Sequence, residues 1–151
     1  NLQGQNNSSR IVHACTDITG FGLLGHLEEM LVASNIEFSK AGLPLLRIKL
    51  CADAIPSFQG ALRLFGGGYS STLAPANRRA WKLLESIDNF PPPVELLLGD
   101  ISYGSKEHRQ ILELIVDPQT CGPLLLSCTS ELASELVSNG PWVTIGNVVQ
   151  D

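Results

Sequence analysis

Leu23, Leu24, Leu27, Met30 and Leu31 recur at helical intervals, with Glu28 and Glu29 on the other face. That spacing predicts an amphipathic helix ending near Ser34-Asn35. Ahead of it, Ile11 to Thr16 alternates as a short strand does, and the glycine-rich turn Asp17–Gly22 joins the two. Ile36–Ser39 and Leu46–Cys51 alternate apolar with polar residues, predicting two strands connected through Gly42-Leu43-Pro44. A shorter helix is expected over Pro56–Phe65, stopping at Gly66-Gly67-Gly68. Ser71/Thr72 starts another, with Pro75 in its first turn and Trp81, Leu84 and Ile87 along its apolar face. Pro91-Pro92-Pro93 forbids helix. Glu107–Leu114 fits either a helix or part of a strand; Leu124–Cys128 fits a buried strand, Ser130–Val137 a helix and Trp142–Val149 a closing strand. Strands and helices intermix without a strict repeat. The fold class expected is α/β of the α+β type, a mixed β-sheet covered mainly on one face by helices.

Composition narrows the picture. At 151 residues, 44% hydrophobic and 17% charged, the chain suits one folded domain and excludes disorder as its main state. Residues 1–10 are almost wholly polar and read as a linker or a truncated helix, leaving 11–151 as a single domain. Ten basic against fifteen acidic residues give a net charge of −5, the wrong balance for nucleic-acid binding through phosphates. A phosphate-bearing ligand would need a metal ion or backbone N–H groups to offset that charge. No apolar run approaches the roughly 18 residues of a membrane span, and no signal peptide opens the chain, so no membrane partner and a cytoplasmic location are expected. The spacing of Cys15, Cys51, Cys121 and Cys128 matches no zinc or redox motif, which predicts free thiols, buried or half-buried. His13 and Cys15 share a strand face, but two ligands do not make a metal site.

Gly20-Phe21-Gly22-Leu23-Leu24-Gly25 matches Gly-x-Gly-x-x-Gly between a predicted strand and a predicted helix, with Glu37 downstream. Those are the contextual marks of a dinucleotide-binding turn. Asp17 counts against that reading, because it would set like charge against a pyrophosphate at the helix start. The plainer reading has the glycines permitting a tight turn, with Asp17 or Thr19 capping the helix. A third reading uses the charge: Asp17, beside two threonine hydroxyls, suits a Mg²⁺ ion that fills its shell with water and phosphate oxygens, in a site completed elsewhere.

Two longer segments carry a resemblance. His13-Ala-Cys-Thr-Asp-Ile-Thr-Gly-Phe-Gly-Leu-Leu-Gly-His-Leu27 resembles the opening of the C-terminal domain of selenophosphate synthetases (selenide, water dikinases). Asp117-Pro-Gln-Thr-Cys-Gly-Pro-Leu-Leu125 resembles a second signature, usually Asp-Pro-Gln-Thr-Ser-Gly-Gly-Leu-Leu. Ile145-Gly146 is similar to the family's closing stretch, and the Gly66–Asn77 region to its variable loop. The resemblance covers residues 11–149.

The resemblance implies the C-terminal α/β domain of a larger synthetase in the aminoimidazole ribonucleotide synthetase superfamily. The family reaction converts selenide, ATP and water into selenophosphate, AMP and phosphate, using Mg²⁺. Its nucleophilic Cys or Sec, catalytic lysine and most metal-binding aspartates lie in an N-terminal ATP-binding domain, so no catalytic residue is expected here. Asp17 alone matches a metal-binding position. The domain is then expected to cover the nucleotide site, to bind neither ATP nor Mg²⁺ tightly by itself, and to be inactive in isolation. Its partners would be the N-terminal domain and, in the complete enzyme, a second subunit. The alternatives are another ATP-dependent synthetase or maturation protein of the superfamily, or a non-catalytic interaction module derived from it. Cys121 and Pro123 depart from the second signature, and proline there excludes a positive φ. Asp117 is expected to order its own turn through Asx-type hydrogen bonds, and Cys121 to be an inert small residue.

Overall fold

The computed structural model describes residues 11–150; the reading of residues 1–10 lies outside them. The described elements run β1 (Val12–Asp17), α1 (Gly22–Lys40), β2 (Leu46–Cys51), α2 (Ala61–Gly66), α3 (Ala74–Asn77), β3 (Val94–Leu97), α4 (Lys106–Leu114), β4 (Leu124–Cys128), α5 (Ser130–Asn139) and β5 (Gly146–Gln150). Short 3-10 turns occupy Ala52–Ala54 and Arg78–Leu84. Mixed helix and strand content bears out the α+β expectation. Its strands, however, form two sheets in place of one. β1 pairs antiparallel with β4, with a bulge between Val12 and Ala14. β2 lies between β3, parallel to it, and β5, antiparallel.

The core gathers Leu23, Leu24, Leu27 and Leu31 of α1 against Ile48 and Leu50 of β2, Val94 of β3, and Ile111, Ile115 and Val116 in and after α4. Leu24, Val94, Ile115 and Val116 are fully buried. The leucine spacing of α1 therefore predicted the correct face.

Helix α1 runs past Asn35 to Lys40, so Ile36–Ser39 is helix and not strand. The stop signal lies at Gly42, whose φ of +65° closes a Schellman motif. The Gly42 N–H donates to the Ser39 carbonyl at 3.1 Å and the Leu43 N–H to Phe38 at 2.9 Å. Asn35 is polar for a different reason: its amide accepts from the Leu46 N–H at 2.7 Å and donates to the Leu46 carbonyl at 3.0 Å. It thereby ties α1 to the start of β2.

The helix expected over Pro56–Phe65 is shorter and later, α2 alone. Helical structure after Ser71 ends at Leu84, so Ile87 is not on a helix. Ile87 pairs with Phe90 across a tight turn in which Asp88 and Asn89 have φ of 48° and 70°. Glu107–Leu114 is helical, capped by Ser105, whose hydroxyl accepts from the His108 N–H. The parallel strand β3, which enters directly from Pro93, had no alternation to reveal it: all four of its residues are buried or half-buried. All four cysteines are free, but Cys15 and Cys121 are exposed, not buried. No described helix is long and apolar enough to cross a membrane.

Candidate functional site

The two signature segments meet. The Ile18 N–H donates to the Pro123 carbonyl at 2.9 Å, and the Gln119 N–H to the Thr19 carbonyl at 3.1 Å. Beside these bonds, Asp17 and Leu124 are partners at the end of the β1–β4 ladder. Gly122 packs so closely under Ile18 that a β-carbon there would overlap the Ile18 carbonyl oxygen. Pro123 fits this join, because its carbonyl is the group used and its missing N–H leaves no ladder bond unmade.

Between Asp17 and α1 the chain makes the glycine turn. Gly22 has a φ of +71°, and its N–H donates to Thr19 at 3.1 Å. Neither Asp17 nor Thr19 caps α1: the N-cap is Phe21 and no side chain caps it. The Leu24 N–H, near the start of the helix, instead donates to the Ile115 carbonyl at 2.8 Å. This helix start is thus engaged by protein. In addition, β1 pairs with an antiparallel neighbour and not with the parallel strand of a dinucleotide-binding unit.

Thr19 is held by His26, a residue of the first signature whose role no local pattern reveals. The Nε2 atom of His26 accepts from the Thr19 N–H at 3.0 Å, and its Nδ1 lies 3.1 Å from Glu29 Oε2. Because Nε2 accepts, the ring hydrogen sits on Nδ1 and is donated to the carboxylate. The Thr19 hydroxyl is also within 3.1 Å of Nε2, so it turns to His26 and not to Asp17. The Thr16 hydroxyl donates to the Asp17 main-chain carbonyl at 3.3 Å. Neither hydroxyl is therefore engaged with the Asp17 carboxylate.

That carboxylate is exposed and makes no hydrogen bond or ion pair with the described residues. Among the described residues, no three His, Cys, Asp or Glu side chains gather in a metal-holding group. Asp17 thus offers one hard oxygen ligand, which fits Mg²⁺ where other ligands come from water and phosphate.

Asp117 sits at the opposite end of the second signature, partly buried. Burial pushes its carboxyl above the ordinary aspartate range, partly offset by the Gln119 amide, which donates to Oδ2 at 3.0 Å; the Glu113 charge adds to the upward shift. The expected Asx-type bond to backbone is replaced by this side-chain pair. Asn77, which sequence reasoning placed only in a variable loop, is 8% exposed and donates from Nδ2 to the Gly20 and Val116 carbonyls at 2.8 and 3.0 Å. Its available signal was its place four positions before Trp81, a polar residue on the apolar face of that helical stretch.

Comparison with known proteins adds to this geometry. Residues 2–58 match the family model described as AIR synthase related protein, C-terminal domain. A selenide, water dikinase of Caldanaerobacter subterraneus subsp. tengcongensis is 35% identical over 127 residues, covering 83% of this chain and 28% of the relative. One from Pelobacter propionicus is 32% identical over 127 residues, 84% of this chain and 29% of the relative. Another, from Salmonella typhi, is 31% identical over 130 residues, 83% of the chain and 28% of the relative. The chain matches less than a third of the length of these relatives.

Proposed function

The chain belongs to the selenide, water dikinase family, with a C-terminal domain of the AIR synthase related kind, and on that premise we propose that it supplies one wall of a shared nucleotide site. The complete protein converts selenide, ATP and water into selenophosphate, AMP and phosphate. Residues 11–151 act as a single domain that covers the nucleotide and contributes Asp17 to Mg²⁺. The reactive Cys or Sec, the catalytic lysine and the remaining carboxylates come from an N-terminal ATP-binding portion, in a cytoplasmic enzyme that is a homodimer when complete.

The observation that carries this reading is Asp17, an exposed carboxylate without a partner among the described residues, at the edge of a turn that is otherwise bonded at nearly every step. Thr19, Gly20 and Gly22 all satisfy structural bonds, while the one charged group of the turn satisfies none. Bound Mg²⁺ would neutralise charge on the nucleotide phosphates. What this chain adds is a carboxylate carried on backbone that the β1–β4 ladder already holds in place. Phosphoryl transfer needs several positioned cations and donors, so this domain is inactive by itself.

Calorimetry tests the reading. The chain titrated with Mg²⁺–ATP should give no heat. Joined to the N-terminal portion of a selenide, water dikinase it should bind, and Asp17→Asn should weaken that binding about tenfold. Micromolar binding by the chain alone, lost in Asp17→Ala, would overturn the shared site. Equal binding by the joined protein and its Asp17→Asn variant would remove Asp17 from it.

A further inference from the structure

Gly20 lies in the turn that carries Asp17. Nothing lies within 4 Å of where its β-carbon would stand, so no residue beyond its chain neighbours packs against that side of it. Its neighbours are anchored: Ile18 by Pro123, Thr19 by His26 and Gln119, and Gly22 by the Thr19 carbonyl. The Gly20 carbonyl is held by Asn77, which comes from a third segment of chain, at the end of α3. The second hydrogen of the same amide goes to Val116, the residue immediately before the second signature. One buried amide thus links the first signature to the residue that leads into the second, and both its donors are spent on carbonyls.

We propose that Asn77 is a positioning residue for the cation site, setting the path of the turn beside the Asp17 carboxylate and fixing its distance from the second signature. This rests on the reading of Asp17 given above. With Asn77 in place, the Gly20 carbonyl is directed inward and cannot swing toward the carboxylate. Released, it is free to flip, and the turn then samples conformations in which a cation on Asp17 meets its other ligands poorly. Aspartate at position 77 would be worse than alanine, because its carboxylate would face two carbonyl oxygens.

Two measurements test this. In the chain itself, amide exchange should quicken at Gly22 and Gln119 in Asn77→Ala while Leu50 and Cys51 in the second sheet keep their protection. Loss of protection throughout would mean that Asn77 serves only the core, and would overturn the proposal. With the chain joined to the N-terminal portion of a selenide, water dikinase, the half-saturating Mg²⁺ concentration should rise about tenfold in Asn77→Ala, with kcat at saturating Mg²⁺ within about twofold. Asn77→Ser, which keeps one donor, should fall between, and it serves the same test if the alanine variant does not fold. A lower kcat with an unchanged Mg²⁺ requirement would overturn the proposal. If Asp17→Asn also leaves the Mg²⁺ requirement unchanged, the reading of Asp17 fails; if only the Asn77 variants leave it unchanged, the positioning role alone fails.

Discussion

A β-carbon built on Gly22 would stand 2.7 Å from the Val116 carbonyl carbon, so the start of α1 and the approach to the second signature touch backbone to backbone. Gly22 also holds a φ of +71°, which L side chains rarely adopt. Gly22→Ala combines both penalties. It should cost roughly 2–5 kcal/mol, from left-handed strain and overpacking against rigid backbone. Urea unfolding checks this, and a loss under about 1 kcal/mol would mean that the turn has room to relax.

Asp17→Asn should leave stability unchanged within about 0.5 kcal/mol, because the carboxylate has no partner among the described residues to lose. Thermal unfolding of the two chains decides it. A clear fall in Tm would show that Asp17 is structural.

Asn35 bridges the Leu46 N–H and carbonyl with both ends of its amide. Asn35→Ala should destabilise the chain by about 1–3 kcal/mol, leaving a part-buried donor and acceptor without their partner. If Ile36–Ser39 were a strand, this change would have little effect. Denaturant midpoints at equal slope would distinguish the cases.

Burial raises the Asp117 carboxyl above the ordinary range, so the folded chain holds this proton more tightly than the unfolded chain does. Its contribution is therefore stabilising at pH below the ordinary aspartate value. That contribution is lost as pH rises from there through the raised value. Asp117→Asn, which can still accept from Gln119, should flatten this part of the profile and make the chain slightly more stable at neutral pH. The gain is about 0.5 kcal/mol or less, since the group is partly solvated. Tm measured from pH 3 to 8 checks the sign; a less stable variant at neutral pH would reverse it.

Cys15 and Cys121 are exposed, whereas Cys128 is half-buried and burial pushes its thiol up. Because the thiolate is the reactive form, iodoacetamide near pH 8 should modify Cys15 and Cys121 well before Cys128. Peptide mass mapping over time would show the order, and early labelling of Cys128 would contradict its placement.

Much of this protein was legible in local pattern. The leucines of α1 marked its buried face, and the alternation in β1 and β2 marked strands, because side-chain period follows backbone geometry. Asp17 stood out because a charge in a glycine turn has few structural uses. Asn35 is an ambiguous stop signal for α1, since a polar residue looks the same whether it ends a helix or reaches across to a strand. Gly42 was the better signal.

Sequence alone thus determined several of the element types, the buried face of α1, the two signatures and the candidate carboxylate. Tertiary structure alone decided that the two signatures bond to each other, that the strands divide into two sheets, and that His26 and Asn77 hold Thr19 and Gly20. The physical reason is range. Periodicity records what each residue does within its own helix or strand. The Asn77 amide bonds carbonyls 57 and 39 positions away, and no local pattern specifies which distant backbone atom a buried donor will meet.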